Sequence, residues 1–501
     1  MPVERELKFR VSARNLDAVA SWHIPGGKLG ERSDSDLLST YFDTAKRKLR
    51  RHGLTLRVRQ NGRTHIQTVK SGNGGQFGRS EWETEIAGDA PDLGKADGTP
   101  LKQFGAKKLR RKLKPVFATF VHRTSMPVRT KSSEIELAID RGRINAGDRS
   151  SPIEELELEL KSGPIVDLFR VAKAIEREAG AELDLRSKSE RGYDLADGKD
   201  HQVVFARAIA LTGDMESGKA FQPIARSALR HFSGNADAVR SGVPEGIHQM
   251  RVGLRRLRAA ISLFSKLLSP AQMEHIKEEL KWLTAELAAA REIDVFVTEN
   301  IEPTTHDRLL RRGGMAIKRE FSERRARAFE RARLAVDSER FRVLLVDTLE
   351  WIESEQTIAT EQAGVPISEF AADVLDRRTR KVRKQGRQLD ELSPRERHKL
   401  RIRVKKIRYA VGFFESLFPA KREQKKLTRL SKQLKKIQNA LGSLNDFLAH
   451  RQMAVDAALR APRQDRRARA LASGVVVGRE DQAAKPLMKA AAKEVRGLRM
   501  L

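Results

Sequence analysis

Apolar and polar residues alternate along the first two fifths of this chain and then recur every three to four residues along the rest. LTLRVRQ (54–60), THIQTVKS (64–71), RSEWETEI (79–86), VFATFVHR (116–123), SEIELAID (133–140) and EELELEL (154–160) each send every second side chain to one face. That period of two predicts strands. Glycine-bearing turns, SGNGGQFG (71–78) and DRGRINAGD (140–148), separate them, so the sheet is expected to be largely antiparallel. One helical period interrupts the pattern: IVDLFRVAKAIEREA predicts a helix over 165–179.

Beyond about residue 200 the period changes. HQMRVGLRRLRAAISLFSKLL, MEHIKEELKWLTAELAAA and RERHKLRIRVKKIRYAVGFFESLF are amphipathic helices several turns long, and helical bundles are expected. RQDRRARALASGVVVGREDQAAK (463–485) carries the weakest pattern and is expected to be a basic loop. The helical part also repeats itself. IHQMRVGLRRLRAAISLF (247–264) aligns without gaps on RHKLRIRVKKIRYAVGFF (397–414), and LAAAREIDVF (287–296) has a weaker counterpart in LGSLNDFLAH (441–450). Two related helical units in tandem follow, at about 205–350 and 365–501.

Charge sharpens this division. The chain has 501 residues and a net charge of +31. Residues 1–200 hold 38 Lys+Arg against 30 Asp+Glu, and residues 201–501 hold 60 against 37, so most of the excess lies in the helical part. A field of that sign attracts polyanions: nucleic acid, anionic membrane or polyphosphate. The absence of cysteine excludes disulfides, thiol catalysis and thiolate metal sites. No apolar run reaches the roughly 18–20 residues that span a bilayer. The amino terminus also lacks the basic patch and apolar run of a secretory signal. A cytoplasmic location is therefore expected, with no membrane partner.

The first strand, within MPVERELKFRV, puts Glu4, Glu6 and Lys8 on one face. The same alternation groups Arg57 with Arg59, Arg79 with Glu81, Glu83 and Glu85, and Glu155 with Glu157 and Glu159. A charged face on an open sheet would simply be solvated. If the sheet closes, that face becomes an interior, where acids and bases must satisfy each other or a ligand. Such an interior suits a metal–polyphosphate complex, with carboxylates on the cation and Arg and Lys on phosphate oxygens.

The run Glu4-x-Glu6-x-Lys8 resembles the signature of the CYTH domains, or triphosphate tunnel metalloenzymes. The resemblance continues in order through YFDT (41–44), LRVR (56–59), TVK (68–70), RSEWE (79–83), Arg123, IDRG (139–142), ELELELKSG (155–163) and SKSERGY (187–193). It implies an α+β multidomain chain whose residues 1–200 form an eight-stranded antiparallel β tunnel with helices, hydrolysing a triphosphate with Mg²⁺ or Mn²⁺. Carried over residue by residue, Glu4 and Glu6 hold metal together with a pair from Glu155, Glu157 and Glu159, of which Glu155 with Glu157 is the favoured register. Asp140 completes the metal shell. Lys8, Arg57, Arg59, Lys70, Arg123 and Lys188 bind phosphates. Arg79, Glu81 and Glu83 join them as catalytic candidates facing the tunnel.

In the helical part His248, Arg251, Arg255 and Arg258 fall within about an 80° arc. Ile247, Met250, Leu254, Leu257 and Ile261 occupy the adjoining apolar arc. His398, Arg401, Lys405 and Arg408 reproduce the first arc, and Arg256 and Lys406 match each other beside it. Like charges stacked at this spacing oppose the helix, so an anion is wanted nearby, unless Asp294 and Asp446 neutralise them. These elements resemble the CHAD domain, a histidine-containing helical module. Ala288 stands where that family often has glycine and Glu292 where it often has aspartate. The resemblance covers 201–501 and implies two tandem four-helix bundles that bind inorganic polyphosphate through these ten cationic residues.

The leading expectation is a metal-dependent inorganic triphosphatase with a polyphosphate-binding helical domain, which could associate with polyphosphate granules. The rivals are hydrolysis of thiamine triphosphate or another organic triphosphate, cyclisation of ATP, and a non-catalytic protein that binds polyphosphate or nucleic acid. An organic substrate would want an apolar or aromatic site at the tunnel mouth, and Phe77 and Trp82 are the visible candidates. With aromatic residues at only 5%, unpaired bases would find few stacking platforms, which places nucleic acid behind polyphosphate.

Overall fold

The computed structural model describes residues 5–19, 24, 26–71, 80–199, 203–358 and 361–498. Two compact units make up the chain: residues 1–205 with 229–241 and 336–355, and residues 206–228 with 242–335 and 356–501.

The first unit is built on an antiparallel sheet with ten strands among the described residues: β1 (Glu6–Arg10), β2 (Lys28–Leu29), β3 (Ser33–Thr44), β4 (Leu54–Asn61), β5 (Thr64–Ser71), β6 (Ser80–Ile86), β7 (Leu113–Arg129), β8 (Glu134–Ala146), β9 (Arg149–Ser162) and β10 (Glu182–Leu183). Their order is β10-β1-β9-β8-β7-β3-β4-β5-β6, with β2 on β7. Two of them, β2 and β10, are two-residue pairings. The sequence alternation becomes two distinct faces. On β4, Leu54, Leu56 and Val58 are buried in an apolar cluster with Leu93, Leu101, Phe104 and Leu109, while Thr55, Arg57 and Arg59 take the other face. Each fully buried leucine or valine contributes about 1.5–3 kcal/mol, enough to fix the register against a one-residue slip.

The expected helix at 165–179 is present as Ile165–Ala179. One expectation in this unit requires correction. DRGRINAGD is strand as far as Ala146, and only Gly147, at φ +58°, and Asp148 make the turn. Strand β3 was not read from periodicity, because Leu37 and Leu38 interrupt its alternation. The turn SGNGGQFG lies, beyond Ser71, outside the described residues.

The second unit is helical. The repeated segments form two 21-residue helices, Pro244–Phe264 and Pro394–Phe414, each opened by proline at its first turn and each ending on phenylalanine. Ile247, Met250, Leu254, Leu257 and Ile261 are all buried. The segment expected as a basic loop is instead part of the helix Arg466–Arg496. Ala472 and Val476 bury there beside Phe296 and Phe321, and Arg469 pairs with Glu320. Long-range packing overrides the weak local pattern. No described helix is long and apolar enough to cross a membrane.

Candidate functional site

Strands β1 and β3 to β9 send side chains into one cavity of about 370 Å³, completed by Ser187, Lys188 and Ser189 at the start of the helix Lys188–Ala196. Seven cations (Lys8, Arg57, Arg59, Lys70, Arg123, Lys161, Lys188) and seven carboxylates (Glu6, Glu81, Glu83, Glu136, Asp140, Glu157, Glu159) are among its described lining residues. Leu37, Tyr41, Val121 and Ala138 supply its apolar and aromatic wall. The charged face of the sheet is therefore its interior.

Strand register explains how distant residues meet. Arg123 on β7 lies opposite Asp140 on β8, which lies opposite Glu155 on β9. Glu157 lies opposite Lys8 on β1, and Glu136 and Glu6 flank Glu159. Lys188 reaches in from a helix whose first turn is fixed by a capping box between Ser187 and Glu190. Its ammonium stands 2.6 Å from Asp140, 2.8 Å from Glu155 and 2.7 Å from Glu157. Lys8 is 2.7 Å from Glu157, and Arg123 takes Asp140 in a bidentate pair at 2.7 Å for each bond.

Burial pulls the Lys188 and Lys8 ammonium groups down, but the surrounding carboxylates outweigh it and hold both above the usual lysine range. Burial likewise pushes Glu157 up, yet Lys188, Lys8 and Arg123 hold it well below the usual carboxylate range. Asp140, Glu155 and Glu157 are buried, with one oxygen from each lying within 4.8 Å of the others. Three close carboxylates are the hard oxygen donors that Mg²⁺ or Mn²⁺ takes, alongside substrate phosphates. The donor set fits a divalent cation.

The other wall is different. Register places Tyr41, Arg57, Thr68 and Glu83 in one row and Thr55, Lys70 and Glu81 in the next. Lys70 is 2.8 Å and Arg57 3.5 Å from Glu81, so two cations share that carboxylate. Arg59 has Ser39 as a hydrogen-bond acceptor, and the neighbouring Arg57, followed by burial, pushes it down to about 10. An acidic wall on β1, β8 and β9 thus lines the cavity together with a wall on β4 to β6, where Arg57 and Lys70 pair with Glu81 and Glu83 and Arg59 carries the unmatched positive charge.

Most of the expected tunnel residues converge here: Glu6, Lys8, Arg57, Arg59, Lys70, Glu81, Glu83, Arg123, Asp140, Glu157, Glu159 and Lys188 line the cavity. Glu155 joins them through Lys188. Glu159 turns to Lys161 at 2.7 Å, apart from the close trio. Glu4, Arg79 and Phe77 lie outside the described residues. Trp82 packs against the apolar cluster behind β4. Three residues were missed. Lys161 continues the two-residue alternation of Glu155, Glu157 and Glu159, and Glu136 shares a face with Asp140, so the period alone could have found both. Arg191, which pairs with Glu155, sits one turn after Lys188, and only tertiary structure aims it there.

In the helical unit the two basic arcs meet. Arg255 donates to the Tyr409 hydroxyl at 3.3 Å across the repeat, while Arg251 donates to the Thr284 carbonyl at 3.0 Å. Burial, then Arg401 and Arg255, push Lys405 down to about 7. Burial and Arg255 push Arg251 down to about 10, and burial lowers Arg401 despite Asp446 at 3.5 Å. His248 is lowered by burial and by Arg291, and His398 faces Asn445. Asp294 is engaged by Arg325 and Arg291 instead. The other four diverge or stand apart: Arg256 is buried over the Phe413 ring, Lys406 donates to Ser262, and Arg258 is exposed. Arg408 is half-buried.

A CYTH domain model matches residues 3–193 and a CHAD domain model residues 223–455. An inorganic triphosphatase of Haemophilus influenzae is 32% identical over 196 residues, 38% of this chain and 54% of that protein, so the chain spans about half the length of that relative. An uncharacterized protein of Mycobacterium tuberculosis is 24% identical over 510 residues, 92% of this chain and 91% of the other. The crystal structure of the CHAD domain from the plant Ricinus communis superposes with a TM-score of 0.51 at 26% identity, covering 60% of this chain and 98% of that one.

Proposed function

We propose, for a chain that carries a CYTH domain followed by a CHAD domain, that the sheet cavity hydrolyses inorganic triphosphate with a divalent cation and that the helical region binds inorganic polyphosphate. Residues 1–200 and 201–501 are the corresponding domains. The observation that carries this reading is the two-walled cavity: clustered carboxylates opposite Arg57, Lys70 and the unmatched Arg59 are complementary to a chelated phosphate chain.

Asp140, Glu155 and Glu157 hold the cation, with Glu6 beside them. When bound, a divalent ion neutralises phosphate charge and makes water nucleophilic near neutral pH. Arg57, Arg59 and Lys70 grip the phosphate oxygens from the opposite wall, and Arg123, Lys8 and Lys188 hold phosphate beside the carboxylates they pair with. Phosphoryl transfer asks mainly for such positioning and charge neutralisation. Among the described residues the lining offers little apolar surface for a nucleobase or thiazole, which favours an inorganic substrate. In the helical unit, Arg251, Arg255, Arg401 and Lys405 form the polyphosphate contact, since their buried like charges are relieved by an anion.

Phosphate release measured on tripolyphosphate, thiamine triphosphate and ATP, with Mg²⁺ and with Mn²⁺, tests the reading. Tripolyphosphate turned over fastest, and only with a divalent cation, is the expected result. Preference for an organic triphosphate, or turnover in chelator, contradicts it.

A further inference from the structure

The helix Lys421–Leu459 carries a second, separate concentration of positive charge. Its residues 421–436 include Lys421, Arg422, Lys425, Lys426, Arg429, Lys432, Lys435 and Lys436 against the single acid Glu423. Leu427, Leu430, Leu434 and Ile437 bury the opposite side, so these cations are held on the solvent face. Lys425, Arg429, Lys432 and Lys436 fall within about a 60° arc and span about 16 Å of helix axis. They line a groove of about 590 Å³ with Gln424, Thr428, Gln433 and Glu494.

Like charges at i and i+4 oppose the helix that carries them. Glu494 pairs with Lys436 at 2.7 Å, but among the described residues no carboxylate pairs with Lys425, Arg429 or Lys432. The groove is therefore complementary to an external anion whose charges run in a line. A straight, rigid row of cations gains most from a polyanion that is already straight. A nucleic-acid duplex presents charge at about 3.4 Å of rise per strand and stays stiff over about 150 base pairs. A flexible polyphosphate would lose chain entropy to match it. No aromatic residue is among the described residues that line the groove, so stacking of unpaired bases has no platform there.

We infer that this groove docks the phosphate backbone of double-stranded nucleic acid, without reading its sequence, as a surface distinct from the Arg251–Lys405 cluster. The test uses the full chain and a labelled mixed-sequence DNA duplex of about 20 base pairs, followed by fluorescence anisotropy between about 50 and 200 mM salt. A variant carrying Lys425→Gln, Arg429→Gln, Lys432→Gln and Lys436→Gln is expected to lose duplex affinity at least about tenfold and to reduce the log–log salt slope by about 3. Its polyphosphate binding and its thermal unfolding should match the wild type. A second variant, Lys421→Gln, Arg422→Gln and Lys426→Gln, removes charge from outside the groove and should weaken the duplex far less. Unchanged duplex binding in the first variant overturns the inference. So does parallel loss of polyphosphate, which would make the groove part of that contact, or an equal effect of the second variant, which would make it a diffuse field.

Discussion

The two cationic regions of this molecule use the same side chains under opposite electrostatic conditions. In the sheet cavity Lys8 and Lys188 are buried among carboxylates, and their charged forms are favoured. In the helical unit Lys405, Arg251 and Arg401 are buried largely among one another, and their charged forms are disfavoured. Burial carries the same sign in both places; the partners decide the outcome. A matched interior is stable before substrate arrives, so binding there must exchange one set of ion pairs for another. An unmatched cluster is relieved by any anion it captures, which suits retention of a polyanion. Arg59 shows that the cavity itself contains a small unmatched zone, on the wall assigned to phosphate.

Substitutions can break this contrast, and the largest effect is expected at Glu157. Glu157→Gln removes the charge shared by Lys8, Arg123 and Lys188 and should lower phosphate release by about 10²–10³-fold. Stability comes next. Lys8→Met leaves Glu157 and Glu155 short of a buried partner and should cost about 3–5 kcal/mol in urea unfolding. Lys405→Met deletes a disfavoured charge, and its urea midpoint should stay level or rise. Equal losses in the two methionine variants would erase the distinction between the regions.

Proton linkage sharpens the comparison further. Lys405 loses its proton near pH 7 in the free protein, whereas an unfolded lysine keeps it to about 10.5. This group therefore contributes stability above the unfolded value, and that contribution is lost as pH falls toward 7. A bound polyanion favours the charged form, so polyphosphate binding should take up a proton at pH values above about 7 and weaken as pH rises. Calorimetry in buffers of different ionisation enthalpy would detect the uptake, and Lys405→Arg should abolish it. The smallest effect is expected at Arg256, which is buried over Phe413. Arg256→Lys should change polyphosphate affinity less than Arg255→Lys, since only the latter lies in the shared cluster.

Much of the first unit was legible because one physical rule, the two-residue alternation of strands, fixes both the core and the cavity lining. LTLRVRQ yields buried leucines and inward arginines from the same seven letters. Which strands become neighbours was not legible from that rule. The row linking Arg123, Asp140 and Glu155 depends on register across three strands, and Arg191 depends on the placement of a helix. In the helical unit the 3.6-residue period located both basic arcs but not their meeting, because a period describes one helix and not its crossing with another. Arg256 and Lys406 entered through the alignment of the two repeats and not through the period, and their side chains diverge from the arcs. The weak pattern at 463–485 concealed a helix that packs on Ala454 and Ala457 of the preceding helix and on Phe296, Phe321 and Glu320 more than a hundred positions away.

The separation of the two regions is tested most directly by one assay run on two variants: divalent-dependent phosphate release from tripolyphosphate by Glu157→Gln and by the double variant Arg251→Ala, Arg255→Ala. Hydrolysis should collapse in the first and persist in the second. Persistence in the first, or collapse in a correctly folded second, would contradict the assignment of hydrolysis to the sheet cavity.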